Sequence, residues 1–542
     1  MLKQTLFGIS LILTTPLLLA ASLDIDDSAG AKLIRSNCAG CHVPTDEGLS
    51  RISYQRKTPE GWEMTVNRMR LIHRLKINKG DLNIKGSGLH EIVKYLADNQ
   101  GLAPSETQGV RYLLEQDLNK IETQFDEEFA TMCARCHSGA RVALQRRTPK
   151  EWNYLVDFHL GQFPSVEYSM FGRDRDWFGI ARNKMVPLVS KMYPFTSEDW
   201  SSWLMTEKPE LNGKWILSGH MPGKGYFSAT MTVNQNKKDY YSLSVEGNYA
   251  NGEAIKGTGS SVVYTGYEWR GNINFGDISL RQTLAASADG QTLTGRFYQK
   301  DQELIGMKIT AIKDSAKTQL LSVFPNHIKK GETITLTITG SGLGVSLASS
   351  LNLPSSIVVN KIISQNANSM VVKVTAKNNA PIGYANIQVG KAKLTNQLAI
   401  YKQVNALEVV PSYGVSRVGD NGGSTPKTNT LFRAVGFDYG KDGIANTQDD
   451  LNLGYIEDVT WEVVPRDKIA KKDEDVKFAG HMNTSTGQFS PAAAGPNPER
   501  YRSTNNAGNL NVVAKLTENG NEISGIGRLL VTVQRWNNPP LK

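Results

Sequence analysis

Apolar positions recur at helical spacing up to about residue 207 and at alternating spacing beyond it. After Trp62, the positions Glu63, Val66, Met69, Arg70 and His73 follow a helical period, and Leu89 precedes the run Ile92-Val93-Lys94-Tyr95-Leu96; both stretches predict helices. From Gly225 to Val233, Phe227, Ala229, Met231 and Val233 alternate with Tyr226, Ser228, Thr230 and Thr232, the pattern of a half-buried strand. Similar strands return behind Gly and Asn turns to about residue 313, enough for a small antiparallel barrel or sandwich. A second β unit, Leu320 to Gln403, carries strand text at Ile334 to Leu343, Met370 to Val374 and Ala385 to Val389, with the spacing of an immunoglobulin-like sandwich. A third begins at Asn405 and contains Thr460 to Val464, Leu510 to Leu516 and Leu529 to Val533.

The expected architecture is multidomain, α then β. A helical domain spans 23–207 as repeats 23–104 and 105–207; an antiparallel β-barrel spans 208–316, and immunoglobulin-like β domains span 317–403 and 404–542. Linker-like text marks the joints at Lys208-Pro209-Glu210, Lys313-Asp314-Ser315 and Lys402-Gln403-Val404-Asn405. Ahead of all this, Lys3 precedes an apolar run from Leu6 to Leu19 and the small residues Ala20-Ala21-Ser22. That is the layout of a secretory signal peptide over 1–22, cleaved near Ser22, and it falls short of the roughly 20 apolar residues of a spanning helix. The mature chain is therefore expected to be soluble, exported and without membrane insertion.

Length and composition narrow the classes further. At about 150 residues per domain, 542 residues suggest three or four domains, and 39% hydrophobic residues spread along the chain exclude fibres and wholesale disorder. The formal charge of +9 becomes +8 without Lys3. Its basic residues lack the clustered run that follows a phosphate backbone, so nucleic acid is not an expected partner. Four cysteines in so long a chain, standing as two close pairs, do not make a disulfide framework.

The helical part repeats itself. Cys38-Ala39-Gly40-Cys41-His42 is followed by Gln55-Arg56-Lys57-Thr58-Pro59 and Trp62, while Cys133-Ala134-Arg135-Cys136-His137 is followed by Gln145-Arg146-Arg147-Thr148-Pro149 and Trp152. Cys-x-x-Cys-His is the attachment pattern of c-type haem. On the first turns of a helix, residues three and four apart share a face, so both thiols can reach the two vinyl groups of one porphyrin with the histidine beneath its iron. Two redox or zinc-binding Cys-x-x-Cys elements are the alternative, but two copies consuming every cysteine in a duplicated unit favour haem. The expected cofactors are thus two covalently bound haem c groups: Cys38 and Cys41 with proximal His42, and Cys133 and Cys136 with proximal His137.

The second axial ligand of each haem is normally Met or His. Aligning the repeats on Trp62 and Trp152 sets Met69 against His159, the expected distal ligands of the first and second haem. His73, His90, Met185 and Met192 are further candidates. Thioether ligation would raise the first haem's potential above that of a bis-histidine second haem. In the last domain, Asp438, Asp442, Asn446, Asp449 and Asp450 resemble a calcium loop with Gly443 at the turn, but Gly440 stands where a ligand is expected, so a solvated hairpin turn is the preferred reading. His220, His327 and His481 read as packing or surface histidines. There is no Gly-x-Ser-x-Gly, His-Glu-x-x-His, Rossmann or P-loop motif, and no hydrolytic catalytic residue is assigned.

Paired Cys-x-x-Cys-His motifs, followed by a barrel beginning at Gly213-Lys214-Trp215 and two further β domains, resemble the α (haem) subunit of bacterial quinohaemoprotein amine dehydrogenase over the mature length. The resemblance implies a periplasmic heterotrimer that oxidises primary amines to aldehydes and ammonia. It implies a small partner subunit bearing a cysteine tryptophylquinone and a β-propeller subunit. The di-haem chain would take the electrons and pass them to a soluble blue-copper protein or cytochrome c. All four cysteines here are assigned to haem, so the quinone, which needs one, is expected on the partner.

Two other readings fit the haem motifs. A di-haem cytochrome c peroxidase would use one Met-ligated and one His-ligated haem, but leaves the β domains unexplained. A non-enzymatic exported electron shuttle would purify alone, whereas the dehydrogenase would keep two partner polypeptides.

Overall fold

The computed structural model describes residues 27–46, 48–84, 86–169, 172–344, 349–421 and 425–533. The leader expected over 1–22 lies outside these residues. Among the described residues no helix is long and apolar enough to cross a membrane. The chain divides into two compact units, the first being the helical residues up to 108 together with 126–207, the second 109–125 together with 208 onward.

The helical unit is built from α1 (Ala29–Cys38), α2 (Pro59–Ile72), α3 (Leu89–Asn99), α4 (Glu127–Cys133), α5 (Pro149–Gln162), α6 (Val186–Met192) and α7 (Glu198–Met205). Helices α1 and α2 pack on α3 and bury Leu33, Ile34, Val66, Ile92, Val93 and Leu96. A Cβ at Gly30 would lie 2.5 Å from that of Tyr95 and 2.7 Å from the Glu91 carbonyl, so only glycine admits this crossing. Two three-residue strands, β1 (Gln55–Lys57) and β2 (Gln145–Arg147), pair antiparallel, with Arg56 opposite Arg146. The sequence repeat thus brings the same text of both copies edge to edge.

In the second unit, eight strands form a closed antiparallel barrel: β3 (Gly213–Met221), β4 (Gly225–Lys237), β5 (Tyr240–Tyr249), β6 (Ala254–Tyr264), β7 (Glu268–Phe275), β8 (Ile278–Ala286), β9 (Thr292–Gln299) and β10 (Gln302–Lys313). Consecutive strands are neighbours, and β10 closes on β3 with Lys313 opposite Trp215. Closure removes the unpaired edges an open sheet would present. Along β4, Phe227, Ala229, Met231 and Val233 are all buried, the side the alternation predicts. Trp215, Trp269, Phe297 and Met307 fill the core, so the barrel is a packed scaffold.

Residues 109–125 group with the β unit. Buried Arg296 of β9 explains this, because its Nη1 donates to the carbonyls of Glu115 (3.0 Å), Gln116 (2.8 Å) and Glu303 (2.7 Å). Beyond the barrel, strands 319–324, 333–341, 369–376 and 357–365 form one sheet and 327–329, 392–401, 383–389 and 351–352 another. Leu336, Ile338, Met370, Val372, Ile387 and Leu398 make their shared core. The last domain has a four-stranded sheet (413–417, 521–532, 508–518, 460–465) and two three-stranded sheets around Phe432, Trp461, Phe489 and Leu529.

The acidic loop of the last domain spends its carboxylates on backbone N–H groups. Asp438 Oδ2 accepts from Lys402 (2.8 Å) and Gln403 (3.0 Å), Asp449 Oδ2 from Lys441 (2.6 Å) and Asp450 Oδ2 from Asn446 (2.8 Å). These are turn-stabilising bonds. His220 is buried where the barrel meets the last domain, between the rings of Tyr226 (4.7 Å) and Tyr455 (4.6 Å), with Nε2 on Glu457. His327 bonds the Leu453 carbonyl through Nδ1 at 2.7 Å, and His481 is exposed.

Candidate haem-binding site

The repeated text has the same local role in each copy. Thr58 and Thr148 are N-caps of α2 and α5, each accepting from a backbone N–H at 3.3 Å, with Pro59 and Pro149 at the first helical position. Three residues on, Trp62 (1% exposed) and Trp152 (3% exposed) anchor their helices. Arg56 and Arg146 converge on buried Glu106, Arg56 through two 2.9 Å bonds and Arg146 through one of 3.0 Å. Burial pushes the Glu106 carboxyl up, but the Arg56 hydrogen bond and the charges of Arg56 and Arg146 outweigh it and hold it down at about 2.

The Cys-x-x-Cys-His segments lie at helix ends and not on the first turns the spacing suggests. Cys38 is the last residue of α1, and the N–H groups of Cys41 (3.1 Å) and His42 (2.9 Å) fold back onto its carbonyl. Cys133 likewise ends α4, capped at its start by Asp126. In both copies the first cysteine is half-buried and the second exposed.

The second site is the more enclosed. The ring of His159, on α5, stands 6.4 Å centroid to centroid from that of His137, tilted by 49°. Nδ1 of His137 lies 2.9 Å from the Ser138 carbonyl and Nδ1 of His159 lies 2.7 Å from that of Leu155. Each therefore carries its proton on Nδ1 and its lone pair on Nε2. Trp177 stands 6.0 Å from His159 and donates Nε1–H to the Met132 carbonyl at 2.8 Å. The Glu167 carboxylate holds this tryptophan by accepting its backbone N–H at 3.1 Å and that of Phe178 at 3.0 Å. Met132, Cys133, Val156, Trp177 and Met185 form one apolar cluster, and Met185 closes a π-helical turn, Ala181–Met185, of the kind that concentrates at functional sites.

At the first site His42 is half-buried, with Nδ1 2.9 Å from the Ser50 carbonyl. Burial lowers its basicity; the Ser50 bond opposes this, Arg51 and His73 add to it, and Glu151 opposes it. His73, the exposed C-cap of α2, is thus in electrostatic reach of His42. Met69 is half-buried one turn earlier on α2, while His90 and Met192 are exposed. Sequence reasoning missed Glu106, Glu167, Trp177 and Glu151. The last had a visible signal, since buried Glu151, paired to Arg51 at 2.7 Å, occupies the place of Gly61 in the other repeat.

Comparison with known families accounts for nearly the whole chain. Residues 28–200 match "Quinohemoprotein amine dehydrogenase A, alpha subunit, haem binding", and 208–314, 317–402 and 407–541 match domains II, III and IV of the same α subunit. The chain belongs to the quinohaemoprotein amine dehydrogenase α-subunit family.

No curated protein sequence matches the chain. Among solved structures, Drosophila N-cadherin EC1-3 is similar at 10% identity over 56% of this chain and 89% of that one, with a TM-score of 0.20. Bacteroides ovatus SGBP-B, solved with a mixed-linkage heptasaccharide, is 9% identical over 60% of this chain and 64% of that one, TM-score 0.19. The redesigned β-barrel mFAP1, bound to DFHBI, is 18% identical over 19% of this chain and 94% of that one, TM-score 0.17.

The haem-binding region of this amine dehydrogenase α subunit contains both Cys-x-x-Cys-His segments. The residues at the second site fit such a group. Two imidazoles bonded to one metal at about 2 Å each hold their centroids roughly 6 Å apart, which agrees with the 6.4 Å between His137 and His159. Both rings have Nδ1 engaged with a carbonyl, the outer-shell arrangement of ligating histidines.

Proposed function

We propose that this α subunit is the di-haem electron-transfer chain of a periplasmic amine dehydrogenase. In this reading Cys38 and Cys41 hold one haem c over proximal His42, and Cys133 and Cys136 hold the other over proximal His137. His159 is the distal ligand of the second haem, a reading carried by its ring standing 6.4 Å from that of His137. The repeat alignment assigns Met69 to the first, and the electrostatic reach of His73 to His42 favours His73 as the other candidate. The haem groups supply one-electron transfer between a donor and an acceptor.

What the chain itself contributes is positioning and insulation. The Ser50, Ser138 and Leu155 carbonyls orient three imidazoles, burial favours their neutral, ligating form at His42 and His159, and Trp177 with its apolar neighbours limits water at the second site. The duplicated helical unit is the di-haem domain, and the last two β domains are immunoglobulin-like sandwiches. A cysteine tryptophylquinone on a small partner subunit would oxidise the primary amine to aldehyde and ammonia, with a propeller subunit completing a heterotrimer. A soluble blue-copper protein or cytochrome c would accept the electrons. Family membership supports this division of labour.

The test is purification of the native complex from the periplasm, with mass and visible spectra of each polypeptide. Two haems on this chain, reduced on adding a primary amine together with a quinone on a small partner, is the expected result. A chain that purifies alone with haems indifferent to amines overturns the dehydrogenase reading, and peroxide turnover then separates peroxidase from shuttle.

A further inference from the structure

Arg68 and Arg141 come from different repeats and meet beside His159. Arg68, on α2, lays its guanidinium over the Phe158 ring, 4.4 Å from the centroid and one residue before His159. Arg141, four residues past His137, directs Nη2 at the thioether of Met64, which is also on α2. Both guanidiniums are within electrostatic reach of the His159 ring.

Four neighbouring arginines of this unit are paired: Arg56 and Arg146 with Glu106, Arg51 and Arg147 with Glu151. Among the described residues Arg68 and Arg141 have no carboxylate partner. Two guanidiniums with no carboxylate counter-ion repel each other, whereas an anion set against them is attracted to both. Their planar donor forks suit a carboxylate.

Resting on the di-haem reading above, we propose that Arg68 and Arg141 bind a propionate carboxylate of the haem held at His137 and His159. The first repeat then supplies a positive charge to the second repeat's cofactor. A guanidinium that neutralises a propionate removes a negative charge that would otherwise favour the ferric state. Deleting it lowers that haem's reduction potential.

The test uses the purified holo-complex carrying Arg68→Gln or Arg141→Gln, followed by visible spectroelectrochemistry. The expected result is that one of the two one-electron steps moves by about tenfold in its equilibrium, about 59 mV downward, while the other stays in place. Arg68→Lys and Arg141→Lys, which keep the charge, retain more of the original potential. Arg141 is exposed, so its variant carries the test independently of any folding effect at half-buried Arg68. Both steps unmoved in both glutamine variants, with two haems per chain, overturns this inference and leaves the di-haem reading standing. Wild-type protein lacking covalent haem by mass overturns both.

Discussion

Arg56 and Arg146 stand directly opposite each other in the two-stranded sheet joining the repeats, and both close on Glu106. The carboxylate is buried and held down at about 2 by its two arginines, against the upward push of burial. Replacing it leaves two buried guanidiniums uncompensated. Glu106→Gln is expected to destabilise the helical unit by about 3–5 kcal/mol, measured by denaturant unfolding at neutral pH.

The same group predicts an acid response. A carboxylate depressed in the folded state stabilises above its unfolded value of about 4.3, and that stability drains as pH falls toward the folded value of about 2. Wild-type unfolding free energy is expected to fall by about 3 kcal/mol over this window through this group, and Glu106→Gln to lack that component. Parallel melts of the two proteins from pH 5 to pH 2 check the slope.

His159 faces His137, so on the di-haem reading exchanging its imidazole for a thioether should raise the potential of that haem alone. His159→Met is expected to shift one redox step upward and leave the other unchanged. A potentiometric titration in which neither step moves would remove His159 from the ligand set.

Trp177 is positioned by Glu167 and bonded to the Met132 carbonyl. Trp177→Phe removes that donor and part of the packing at His159, at a cost of about 2 kcal/mol. The urea midpoint of the helical unit is expected to drop accordingly.

Arg296 holds residues 109–125 to the barrel through the Glu115 and Gln116 carbonyls. Arg296→Met leaves those acceptors without their donor, costing roughly 2–4 kcal/mol. Limited proteolysis should then cut first within 109–125, with the barrel fragment surviving.

Much of the local structure around the repeated motifs was legible because it is written in short stretches. The Cys-x-x-Cys-His segments need only five residues each, and the Gln-Arg-x-Thr-Pro text names its caps and its tryptophan anchor in order. The position of Cys38 and Cys133 at helix ends was not legible, since spacing tells which residues share a face but not where a helix stops. Nor was Glu106, because nothing near it in sequence announces that it closes on arginines 40 and 50 residues away. Glu167 and Trp177 escaped for the same reason, their roles being defined by backbone groups and rings from other segments.

The sequence by itself determined the repeated text of the helical unit, the change from helix to strand near residue 208 and the buried side of β4. Each follows from side-chain type and short-range periodicity, which survive without knowledge of the fold. Only the tertiary structure decided that His159 faces His137, that Arg68 of one repeat sits at the histidine of the other, and that residues 109–125 join the barrel. Those outcomes depend on contacts between distant segments, where packing and charge compensation select one arrangement among many that the same local pattern allows.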